Sequence, residues 1–127
     1  MSIAADLLSP PDDATAAAAL EDYAERVRES YGARLVEMHL FGSRARGTAR
    51  PDSDADVAVV LSAFEGGALS EKMHLVDLGF DALTDAGLMI QPWPFTEREW
   101  RAAEPQGRFG ALLAAARRDA RPLGAGR

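Results

Sequence analysis

Apolar residues recur at helical spacing at Ala16, Leu20, Tyr23, Ala24, Val27 and Tyr31, which predicts a helix with one buried face. Asp12 or Asp13 caps its start and Gly32 stops it. Leu35 to Phe41 alternates, with Val36, Met38 and Leu40 on one side and Glu37 and His39 on the other, as in a strand. Gly42 to Ser53 predicts a short helix and a loop. Ala55 to Leu61 is a second strand, and its run Val57-Ala58-Val59-Val60-Leu61 predicts burial on both faces.

After the loop Glu65-Gly66-Gly67, Ser70 is placed to cap a helix whose stripe Leu69, Met73, Val76, Phe80 and Leu83 faces the core, and Gly87 ends it. Leu88 to Phe95 is a third strand. Pro92 and Pro94 lack donors, so its second half lies at a sheet edge or leaves the sheet. Thr96 to Glu99 spells a capping box, with Phe95 and Trp100 as its hydrophobic staple. A last helix puts Phe109, Leu112, Leu113 and Ala116 on one face. Residues 1–11 and 121–127 read as tails. The order predicts a single α/β (α+β) domain over 1–127, a small mixed sheet with flanking helices.

Composition narrows the partners. The chain has 14 basic and 20 acidic residues, a net charge of −6, and a single lysine, Lys72. Nucleic-acid binding through phosphate neutralisation favours basic surfaces, so direct nucleic-acid binding is not expected. With no cysteine, thiolate metal sites and disulfides are excluded. No run is long enough to span a membrane, and Met1 to Pro11 lacks the basic and apolar parts of a secretory signal, so a cytoplasmic location is expected.

The chemistry concentrates in Phe41-Gly42-Ser43-Arg44-Ala45-Arg46-Gly47 and Asp54-Ala55-Asp56. Gly42 lets a phosphate approach the backbone, and the Ser43 hydroxyl donates to it. Arg44, Arg46 and Arg50 bring positive charge to an otherwise acidic chain. Asp54 and Asp56 stand two apart at a strand start and face the same way. Paired carboxylates beside a phosphate cradle describe a Mg²⁺–nucleoside triphosphate site. Each piece alone is ordinary turn or edge chemistry. The combination, flanked by two apolar strands, is specific.

These segments resemble the minimal nucleotidyltransferase (MNT) domains of the polymerase-beta-like nucleotidyltransferase superfamily; the likeness extends loosely from about Tyr23 to Ala120. The resemblance implies that Gly42, Ser43, Arg44 and Arg46 bind the nucleotide, and that Asp54 and Asp56 are catalytic and hold Mg²⁺. It also implies a third carboxylate on the strand Leu88–Phe95, where Gln91 stands. Asp77, Asp81 and Asp85 read as a solvated helix face, and Glu99 as a cap. His39 and His74 read as sheet-surface and surface residues; Trp93 and Trp100 read as core or covering residues, with Trp93 and Phe64 alternatively read as anchors for a partner.

Many of the smallest members are MntA-type antitoxins encoded beside a HEPN-domain RNase toxin, and the chain resembles these. That likeness implies transfer of AMP from Mg-ATP to a toxin tyrosine, in a hetero-oligomer. Three readings stay open: this transferase, a degenerate antitoxin that neutralises by binding alone, and a small-molecule nucleotidyltransferase.

Overall fold

A computed structural model describes residues 10–105, 107 and 109–124. Helix α1 (Asp13–Tyr31) begins where Asp12 accepts from the Thr15 backbone N–H at 2.7 Å and ends at Gly32. All six residues of its predicted face are buried. A 3-10 turn (Gly32–Arg34) leads into β1 (Leu35–Phe41), followed by the single-turn helix α2 (Ser43–Arg46) and β2 (Ala55–Leu61). Helices α3 (Ala68–Leu78) and α4 (Phe80–Ala86) cross to β3 (Ile90–Thr96). Helices α5 (Glu97–Arg101) and α6 (Gly110–Asp119) and the short β4 (Arg121–Pro122) complete the chain.

The sheet order is β3-β2-β1-β4. Strand β1 is antiparallel to β2 and β4, whereas β2 and β3 run parallel. Central β2 is covered on both sides, as its apolar run requires. One face (Val57, Val59, Leu61) packs with Tyr23, Val27 and Leu75 from α1 and α3. The other (Ala58, Val60) packs with Phe95, Trp100, Leu113 and Ala116. Fully burying each such valine or leucine contributes about 1.5–3 kcal/mol. The capping box at Thr96 and Glu99 is formed, and the Phe95 and Trp100 rings meet with centroids 5.9 Å apart.

Several expectations are corrected. A bulge between Leu35 and Glu37 turns Val36 away from Met38 and Leu40, into the cluster around Trp100. Gly67, not Ser70, is the cap residue of α3. The long helix is two helices broken at Gly79.

Most consequential, Leu69, Met73, Val76, Phe80 and Leu83 face solvent, with Leu69 73% and Phe80 62% exposed. The buried side carries Glu71 and Leu75, with Leu78 and Ala82 packed beside them. Glu71 sets this rotation. It accepts from the Tyr31 hydroxyl at 2.9 Å, from the Glu65 backbone N–H at 2.8 Å, and from Arg34.

Strand β3 starts at Ile90 rather than Leu88 and stays in the sheet through both prolines, on an edge. Phe109 is 55% exposed at the α6 cap, outside the buried face assigned to it. Arg121 and Pro122 are not a tail, because they pair with Leu40 and His39. Residues 125–127 and the first nine lie outside the described residues.

Candidate nucleotide and metal site

The site is built at the junction of β1, α2, β2 and β3. Residue Phe41 pairs with Asp56, and Asp56 pairs in turn with Gln91. Antiparallel pairing of β1 and β2 therefore carries the turn after Phe41 over the start of β2. Gly42 adopts φ +76°, and a Cβ built on it would lie 2.6 Å from Asp56 Oδ2. A side chain at 42 would occupy the space of the carboxylate, so both the turn and the acid require glycine here. Asp54, immediately before β2, is exposed, and its charge reaches Asp56.

Burial pushes the Asp56 carboxyl above the usual carboxylate range, and the Asp54 charge adds to this. The Trp93 indole, Lys72 and Arg46 act the other way and favour the carboxylate. Trp93 Nε1 is nonetheless buried without hydrogen-bond geometry to an acceptor among the described residues. A buried carboxylate with a second acid beside it forms a site that a divalent cation relieves.

The arginines divide. Arg44 donates to Ser53 O at 3.0 and 2.8 Å and to Pro51 O at 3.1 Å, stapling the loop before the acid pair. Arg46 is exposed and bonds Asp119 at 2.6 Å, while its charge still reaches Asp56. Arg50 is exposed at the loop tip. The half-buried Ser43 opens α2, which is a single turn; its backbone carbonyl accepts from Gly47 and Thr48.

His39 lies further along β1, bonded to Glu37 at 2.8 Å and stacked on Trp100 at 5.1 Å. His74 is exposed and bonds Ser30. Phe64 is half-buried against the core. Asp81 pairs with Arg26 on the surface.

Sequence reasoning missed Lys72. Its ammonium donates to Pro92 O at 2.6 Å and sits 3.7 Å from the Trp93 ring centroid. The only available signal was that this is the chain's single lysine.

A family description of the nucleotidyltransferase domain matches residues 20–105, more than half of the chain and the whole of the site just described. The chain belongs to the nucleotidyltransferase domain family. No curated protein matches it. Among solved structures, one described as a nucleotidyltransferase from Sulfolobus solfataricus is 25% identical, with a TM-score of 0.49 over 68% of this chain and 74% of that one. A toxin–antitoxin structure with AMP-PNP is 18% identical, with a TM-score of 0.51 over 81% and 71% of the two chains.

Membership of the nucleotidyltransferase family implies a nucleotide substrate and a divalent metal. The donor set fits one ion: two carboxylates from one strand end, with the remaining positions left to phosphate and water, suit Mg²⁺. Gln91, beside Asp56 where the resemblance implies a third carboxylate, offers an amide oxygen and no negative charge. Among the described residues no group of three or more acids or histidines gathers to hold a metal. No helix among them is long and apolar enough to cross a membrane.

Proposed function

We propose that this nucleotidyltransferase domain is the antitoxin of a HEPN/MNT pair, binding Mg-ATP at Asp54 and Asp56 and transferring AMP to a tyrosine of its HEPN-domain toxin. The observation that carries the reading is the contact of Gly42 with Asp56, which brings the Gly-Ser turn and the acid pair to one place. A bound divalent ion would offset phosphate charge and favour the attacking oxygenate. Gly42 would allow phosphate to approach the backbone, with Ser43 donating to it. Asp54 and Asp56 would hold the ion and so orient the phosphate. In the reaction the tyrosine oxygen bonds to the α-phosphorus, pyrophosphate leaves, and the phenolic proton passes to solvent or to a neighbouring base.

A protein acceptor is supported by the outward stripe of α3 and α4. Leu69, Met73, Val76, Phe80 and Leu83 are exposed, and such contiguous apolar faces mark interaction surfaces. Beside them lies an apolar groove of about 380 Å³, lined by Phe64, Leu69, Lys72, Trp93, Phe95 and Leu112. A partner seated there would touch Lys72 and Trp93, both of which also act on Asp56. The neighbouring toxin–antitoxin fold agrees with such a partner.

Gln91 favours a second reading, an antitoxin that binds nucleotide and toxin but transfers nothing. Intact-mass measurement separates the two. The chain is incubated with ATP, Mg²⁺ and the adjacent HEPN protein. Added AMP on the partner, lost with Asp54→Asn or Asp56→Asn, is the expected result. An unmodified partner in a tight complex would establish the binding-only reading instead.

A further inference from the structure

Strand β3 presents Gln91 and Trp93 on the face that carries Asp56, because residues two apart on a strand point the same way. Lys72 comes from the opposite layer. It reaches around the β3 edge from α3, donates to the Pro92 carbonyl at 2.6 Å and lies 3.7 Å over the Trp93 ring. These two contacts hold a flexible side chain in one place. Neither contact cancels its charge, since the carbonyl and the ring are both neutral. By contrast Arg44 is committed to loop carbonyls and Arg46 to Asp119.

A fixed positive charge thus borders the side of the acid pair where Gln91 supplies none of the anionic ligands that a second divalent ion needs. Burial works against the Lys72 ammonium and lowers its proton affinity, the Asp56 charge offsets part of this, and Lys72 in turn favours the Asp56 carboxylate.

We propose that Lys72 is the resident cation of this site, contacting the phosphate of the bound nucleotide in place of a second divalent ion, so that the chain takes one metal ion per nucleotide. The inference rests on the nucleotide-binding reading above and deepens it. The charge balance favours it. A triphosphate beside two carboxylates carries more negative charge than one divalent ion offsets, and an ammonium on a tethered stem adds a point charge suited to phosphate. Its third N–H remains available after the carbonyl and the ring have been served.

The test counts ions and measures affinity together. Mn²⁺ bound to the full chain is counted by electron paramagnetic resonance in the presence of a non-hydrolysable ATP analogue, and analogue affinity is measured by calorimetry. Wild type is expected to bind one Mn²⁺ with the analogue. Lys72→Met keeps the stem over Trp93 and should lose about tenfold or more in analogue affinity. Lys72→Arg should keep affinity within about threefold, which shows that charge rather than edge packing is at work. The double variant Lys72→Met/Gln91→Asp should admit a second Mn²⁺.

Two Mn²⁺ in wild type, or unchanged affinity in Lys72→Met, would overturn the role of Lys72 while leaving the nucleotide site standing. No analogue binding by folded wild type would overturn the nucleotide reading itself, and this inference with it.

Discussion

The Asp56 carboxylate fills the space that a side chain at position 42 would need, with Oδ2 2.6 Å from where a Cβ on Gly42 would stand. Two residues 14 apart in sequence therefore constrain each other: the turn must be glycine because the acid is there. Gly42→Ala should cost about 1–3 kcal/mol, from the positive φ and the collision together. Urea unfolding would measure the loss, and nucleotide binding should fall beyond what the stability loss explains.

Asp56 carries the opposite trade. Burial raises its proton affinity, so holding it charged at neutral pH works against folding. For a carboxyl raised in the folded state, the associated stability is present below the unfolded value and is lost as pH rises through the folded one. Asp56→Asn should therefore stabilise the metal-free chain by about 0.5–2 kcal/mol at pH 7 while abolishing Mn²⁺ binding. Denaturant melts with and without Mn²⁺ test both halves, and a less stable Asn variant would contradict the account.

Glu71 behaves in the other direction. Burial opposes its charge, but the Glu65 N–H, Arg34 and the Tyr31 hydroxyl outweigh burial and hold its carboxyl below the usual range. Its contribution is complete above the unfolded glutamate pKa and fades as pH falls through the lower folded value. Glu71→Gln should cost about 1.5–3 kcal/mol at pH 7. The difference from wild type should shrink below about pH 4. Paired urea titrations at pH 7 and in acid provide the comparison.

The outward stripe separates folding from association. Leu69→Ser and Phe80→Ser remove exposed apolar side chains and should change stability by no more than about 0.5 kcal/mol. Affinity for the proposed HEPN partner should fall at least about tenfold. Thermal melts and calorimetry on the same samples check the two expectations, with nucleotide affinity as an unaffected control.

Local chemistry made much of this fold readable along the chain. Asp12, Gly32, Thr96 and Glu99 announce their caps because a cap is settled within four residues. The run Val57 to Leu61 identifies the central strand because only a strand covered on both faces leaves no polar side. The Gly-Ser turn and Asp-x-Asp pair also stand in the sequence as motifs, and each lies at a strand end where position alone sets its direction.

Other features depend on partners far away in the chain. Helix α3 has apolar residues on two sides, and periodicity alone cannot choose between them. Its rotation follows from Glu71 meeting Tyr31 and Arg34, some 40 and 37 residues earlier. The bulge that turns Val36 and the pairing of Arg121 and Pro122 likewise arise from strand register across the sheet.

Lys72 shows the boundary most clearly. Nothing near it in sequence points to Asp56, Gln91 or Trp93, and it joins them only because α3 packs across the β3 edge. Residue order alone sufficed for most of the elements, for the caps at Asp12, Gly32 and Thr96, and for the two motifs, since these depend on neighbours. Which helix face is buried, and which cation stands beside the acids, were set by packing, because those contacts exist only once the sheet has brought distant segments together.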